Sequence, residues 1–230
     1  MTTSLVIARM CAVVAEQAKR GHHMTDEKVP QLSMIISDIA AWQLDWKLPI
    51  GYETVTYSQG LEHDWVAIIS ESFNKDKTVG DWKKLILDRE GYRPDRVFFI
   101  REKLSGEMCA TASAVRGGGA EHGYLHYVGV RPKWAGYKLG FCISCVATES
   151  FRTDSCTDAV LNTDPPRLAA LKTYLRIGYR PQARHETHVE IWKKVLRQAG
   201  FGHLTVKVAC REAALSDSNN FSQRPCSPTE

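Results

Sequence analysis

The sequence predicts a mixed α/β fold, and three observations carry that prediction. Between about Pro49 and Phe201, short alternating or β-branched runs take turns with longer segments of helical period. The early strands are joined by a tight turn and so pair antiparallel, whereas the later ones are separated by whole helices and so pair parallel. Between these two styles of connection stands a strand that runs straight into a glycine-bearing turn and then a helix, from Tyr124 to Arg152.

Taken in order, Val6, Met10, Val13 and Val14, and then Leu32, Ile35, Ile36 and Ile39, repeat at helical spacing on either side of a polar stretch at Gly21–Lys28. Residues 1–48 are therefore expected to be an N-terminal helical extension, an extra packing layer or an oligomer contact such as a homodimer. Trp42 and Trp46 are expected to close it onto the main domain.

The main domain, 49–201, opens with a strand at Tyr52–Tyr57, then helices at Leu61–Phe73 and Val79–Glu90. Arg96–Arg101 and Met108–Arg116 read as strands joined by the turn Leu104–Glu107. After the triple glycine at 117–119 come a strand at Tyr124–Val130, a helix from Gly136 to Arg152, and a short buried strand at Ala159–Asn162. A helix at Pro165–Ile177 has Asp164 as its natural N-cap, proline at its first position and Gly178 to end it. A strand over Tyr179–Arg184 follows, and residues 203–210 offer it a partner. Val189, Trp192, Leu196 and Ala199 keep helical spacing, and Gly200 is placed to stop that helix. Residues 202–230 form a C-terminal extension whose Ser-, Asn- and Pro-rich end, from Ser216, is expected to be disordered.

Composition excludes several classes of function. With 43% hydrophobic and 24% charged residues the chain can bury a sizeable core. A net charge of +4 is too small for the dense basic face that a nucleic-acid partner requires. The seven cysteines are odd in number and scattered, which fits reduced thiols in the cytoplasm better than a disulfide framework. Leu5–Ala18 is apolar but short and carries Arg9 and Glu16, so neither a signal peptide nor a membrane span is expected. Cys142 and Cys145 fall inside a predicted helix with no second pair at zinc spacing, and His185 and His188 lack the i, i+4 spacing of a zincin helix. No metal is expected. No Gly-x-Ser-x-Gly is present to support a serine hydrolase.

The chemistry concentrates in Leu125–Gly140, where a strand ends at Pro132 and a helix follows a turn with two glycines. Free N–H groups at a helix N-terminus point outward and the helix dipole adds positive potential, so the segment suits an anion, and glycines in such a turn equally serve chain reversal alone. Glycine lets the main chain approach a phosphate closely.

The run Val128-Gly129-Val130-Arg131-Pro132-Lys133-Trp134-Ala135-Gly136-Tyr137-Lys138-Leu139-Gly140 resembles the strand-to-loop motif of the GNAT superfamily of N-acetyltransferases. Leu161 to Tyr179 resembles that superfamily's next strand and its Asn-x-x-Ala-x-x-x-Tyr-x-x-x-Gly-Phe helix, with Ala170, Tyr174, Gly178 and Tyr179 in register. Three positions depart from the pattern. Ala135 stands for the usual Arg or Gln, Lys138 for the first spaced glycine, and Arg167 for the helix-opening Asn. Lys138 keeps the loop amides available if its φ is negative.

The resemblance implies a GNAT fold, with a mixed, mostly antiparallel sheet splayed between two parallel strands. It also implies an acyltransferase that moves acetyl from acetyl-CoA, used as a cosubstrate, to a primary amine on a small molecule or peptide. The pantetheine arm would bond the main chain of Val128, Gly129 and Val130, and the pyrophosphate would sit on Ala135, Gly136, Tyr137, Lys138, Leu139 and Gly140, with Arg167 close by. An N–H near Val128 would polarise the thioester carbonyl. Tyr174 would protonate the departing thiolate. For the base, strand alternation puts His126 on the face of Val128, with Glu121, His122 or water as competitors. A non-catalytic acyl-CoA sensor or scaffold, and a nucleotide-binding module, are the alternatives that the altered loop leaves open.

Overall fold

A computed structural model describes residues 30–117 and 121–208. Chain order runs β1 (Leu32–Ile36), β2 (Tyr52–Thr56), α1 (Glu62–Phe73) and α2 (Val79–Trp82), which passes into a π-helical segment, Lys83–Leu87. Then come β3 (Val97–Glu102), β4 (Met108–Gly117), β5 (His122–Val130), α3 (Leu139–Thr153) and β6 (Asp158–Thr163). The last elements are α4 (Leu168–Ile177), β7 (Arg180–Ala183), α5 (Glu186–Ala199) and β8 (Lys207–Val208). All eight strands join one mixed sheet in the order β2-β3-β4-β5-β6-β1-β7-β8.

The predicted architecture holds from β2 onward. β2, β3, β4 and β5 pair antiparallel, and β5 pairs parallel with β6. Two cores grow from the faces of the sheet. One gathers Trp65, Ile68 and Ile69 of α1 with Trp82, Ile86 and Phe99. The other gathers Leu139, Ile143 and Phe151 of α3 with residues of β1, α4 and α5. The helix ending at Gly200 (φ +81°) forms as its spacing predicts, and β8 pairs with β7.

The segment Leu32–Ile39 is a correction. Its apolar positions satisfy a helical repeat, yet Leu32–Ile36 is a strand wedged between β6 and β7 and antiparallel to both. A continuous apolar run cannot distinguish a buried helix from a strand covered on both faces. Here Leu32, Ser33, Met34 and Ile36 are all buried, as an inner strand requires. Leu32–Ile36 thus belongs to the main sheet rather than to a helix. Trp42 does close onto the domain, its indole N–H donating to the Ile177 carbonyl at 2.8 Å. The helical spacing at Val6–Val14 and the tail from Ser216 lie outside the described residues.

Three boundaries also move. The helix expected at Val79–Glu90 makes one α-turn, capped by Thr78 and Asp81, before its π-segment. α4 starts at Leu168, not Pro165, because the Asp164 carbonyl accepts from Arg167 N–H in a turn, and the helix has no side-chain cap. Asp164 accepts instead from the Gln31 side chain at 3.1 Å. α3 starts at Leu139 because Gly136 (φ +88°) and Lys138 (φ +62°) are both left-handed and interrupt any helix begun earlier.

Candidate active site

The parallel ladder between β5 and β6 runs from His122 with Asp158 to Leu125 with Leu161 and then stops. Past that point the edge of β5 is open. The cause is a bulge. The β4–β5 register shifts between Thr111 and Ser113, and Tyr127 adopts φ +46°, an uncommon conformation for a non-glycine residue. The inserted residue reverses the alternation of side chains. Tyr124, His126 and Tyr127 face α1, the Tyr127 ring lying 5.3 Å from Trp65 and 4.4 Å from His126. Val128 and Val130 pack against the core under α3. His126 and Val128 therefore lie on opposite faces, contrary to the simple alternation of a regular strand.

Main-chain groups follow the same geometry. Arg131 N–H bonds back to Cys109 of β4 at 2.9 Å, so Val130 N–H points to the open edge, where the Ser72 hydroxyl stands 3.4 Å away. By alternation Val128 N–H points the same way. Gly129 has another role: a Cβ there would lie 2.7 Å from Cδ1 of Ile69, so its lack of a side chain lets α1 settle on the strand.

Beside the open edge lies a cavity of about 490 Å³. Its walls are Val130, residues 134–136 and 138–141, and Thr173 and Arg176 of α4. Among the described residues, the N–H groups of Gly136 to Phe141 have no main-chain acceptor and no side-chain cap, so they are available to a ligand. Of the predicted cofactor residues, Val130, Ala135, Gly136, Lys138, Leu139 and Gly140 line this cavity. Val128, Gly129, Tyr137 and Arg167 do not. Tyr137 is half exposed beside Trp134 and Tyr52, and Arg167 stacks on the Phe73 ring, 3.9 Å from its centroid. Lys138 has positive φ, opposite to the expected sign.

Tyr174 on α4 is buried, edge-on to Tyr179, and burial pushes its hydroxyl up to about 12. The positive charge of Arg167 opposes that rise. Burial, with Arg89 adding to it, holds His126 well below its ordinary value of 6.5, and its Nδ1 has no hydrogen-bond partner. His122 is more exposed and occupied with Asp158 at 3.0 Å, while the Glu121 side chain is exposed. Spacing gave no hint of Arg89, Tyr124, Asn162 and Arg184, which four separate segments bring together. Asn162 Nδ2 donates to the Tyr124 hydroxyl at 3.4 Å, Arg184 donates to Asn162 Oδ1 at 3.0 Å, and Arg89 lies 5.5 Å from the Tyr124 ring centre.

The four cysteines among the described residues, Cys109, Cys142, Cys145 and Cys156, are free and buried. His185 and His188 meet edge to face at 5.4 Å, but no group of three metal-binding side chains occurs among the described residues. Nor is any described helix long and apolar enough to cross a membrane.

Two parallel strands that part beside a helix N-terminus define a mixed α/β acetyltransferase-like fold, and comparison with known proteins agrees. Residues 63–179, just over half of the chain, match the Acetyltransferase (GNAT) family. The chain belongs to the GNAT acetyltransferase family. Its fold is similar to that of a GCN5-related N-acetyltransferase from Sphaerobacter thermophilus, at 21% identity and a TM-score of 0.54 over 66% of this chain and 48% of that one. It is also similar to the GCN5-related glucosamine N-acetyltransferase region of a fungal multi-domain GH3 beta-N-acetylglucosaminidase, at 15% identity and a TM-score of 0.50 over 75% of this chain and 22% of that one. The match thus spans about half or less of the length of these solved chains. No curated protein matches the sequence.

Proposed function

We propose that the chain transfers an acetyl group from acetyl-CoA to a primary amine, by direct attack of the neutral amine in a ternary complex. The observation that carries this reading is the open edge of β5 beside the cavity at the start of α3, where the N–H groups of Gly136 to Phe141 have no main-chain acceptor. That arrangement suits an elongated ligand with a diphosphate at one end and a polar thioester arm at the other. Lys138 and Arg176 add positive charge at the diphosphate end.

Val128 N–H is the donor for the carbonyl oxygen where negative charge develops during attack. Tyr174, still protonated at neutral pH, hands its proton to the departing sulfur. His126 is neutral at that pH, and its unpartnered Nδ1 takes the proton that the amine must lose. Calorimetric titration with CoA, followed by thiol release from acetyl-CoA with a panel of amines, tests the reading. Failure to bind CoA would sink it. Binding without thiol release for any amine would favour the acyl-CoA sensor.

A further inference from the structure

On the α1 face of the open edge, Arg89 lies over the Tyr124 ring, Arg167 over Phe73 and Arg184 against Asn162. The Tyr124 hydroxyl, tied to Asn162, feels both Arg89 and Arg184, while His126 feels Arg89 and Tyr174 feels Arg167. Among the described residues, none of the groups acting on these three side chains is a carboxylate. Asp81, which acts on neighbouring Tyr127, is committed to the capping box at Thr78. Among the described residues, neither Arg184 nor Arg167 pairs with an acid. Arg184 is spent on the Asn162 amide and Arg167 on the face of Phe73. The groups link into a basin: Arg167 on Phe73, Phe73 beside Tyr127, Tyr127 on His126, His126 beside Tyr124, then Asn162 and Arg184.

Among the described residues, Arg184 and Arg167 have no carboxylate partner, so the basin repels ammonium ions and an anionic group bound there gains charge-assisted hydrogen bonds. From this geometry we infer that the acceptor amine carries an anionic oxygen group, a carboxylate or a phosphate, which Arg184 binds in the field of Arg167 and Arg89. The inference rests on the acetyl-transfer reading, since it names that reaction's acceptor class. It also assigns Tyr124 and Asn162 a positioning role, holding the Arg184 fork toward the basin.

The test uses the full chain and three matched series: short amino carboxylates, the corresponding amino phosphates, and their neutral amides or alcohols. Thiol release from acetyl-CoA should show kcat/KM for one anionic series roughly tenfold or more above its neutral match, the advantage of a charge-assisted bond over none. The two anionic arms tell carboxylate from phosphate. Arg184→Gln should collapse the anionic-to-neutral ratio towards one, while Arg184→Lys, which keeps the charge and the fold, should retain part of it. Equal rates for neutral and anionic amines, or a ratio unchanged in Arg184→Gln and Arg167→Gln, would overturn the inference. Calorimetry of the same amines on the CoA-loaded chain separates the two claims. Arg184-dependent anion binding without thiol release would remove the transferase reading and leave the basin. Binding with no preference for the anion would remove the basin whatever the turnover.

Discussion

Tyr174 and His126 are displaced from their ordinary acidities by the same cause, burial, and this decides what each can do. With its hydroxyl near 12, Tyr174 remains a proton donor throughout the stable range of pH. Tyr174→Phe should lower kcat by ~10²-fold or more at every pH between 6 and 9, with little change in CoA affinity, as measured by thiol release and calorimetry. His126 has the opposite consequence, for stability. Its folded-state value lies below 6.5, so the unfolded chain takes up the proton first as pH falls. The contribution of the neutral ring is complete above 6.5 and is lost as pH falls from 6.5 towards the lowered value. Thermal melts across this window should show the wild type losing stability more steeply than His126→Gln. The sequence singled out both residues, Tyr174 from its register in the motif and His126 from strand alternation, but that alternation fails at the Tyr127 bulge. Spacing did not point to Arg89, Tyr124, Asn162 and Arg184, because their meeting depends on four chain segments converging.

At the scale of elements, the loop before α3 and the bulge in β5 build the site, and both are local conformations that a periodic pattern misses. Lys138 takes a left-handed conformation that costs a side-chain-bearing residue roughly 1–2 kcal/mol. Lys138→Gly should therefore raise stability by about 1 kcal/mol in urea unfolding, while weakening CoA binding through the lost ammonium. Gly129 marks the reverse constraint. Adding a methyl group would force it against Ile69 at 2.7 Å, so Gly129→Ala should cost about 1–3 kcal/mol and disturb the open edge beside it. The motif announced both glycine positions, but their reasons differ. Gly136 supplies backbone conformation, whereas Gly129 supplies room for a helix.

Over the whole molecule, the notable feature is the strand between β6 and β7, which comes from the front of the described chain. β1 bonds to β6 along its length and to β7 over three residues, so it joins the last strands to the rest of the sheet. Met34 is fully buried within it, and Met34→Ala should cost roughly 2–5 kcal/mol in a urea titration. A loss under 1 kcal/mol would mean that β1 is dispensable to the sheet.

The sequence by itself determined the fold family, the glycine loop and its helix, and the register that presents Tyr174. Each is a local pattern in which the spacing of residues is the constraint. Only the tertiary structure decided that Leu32–Ile36 is an inner strand, that Tyr127 bulges and separates the faces of His126 and Val128, and that Arg167 turns away from the cofactor cavity. Those outcomes depend on what packs against each segment: an apolar run takes the form its neighbours bury, and a side chain's neighbours come from distant parts of the chain.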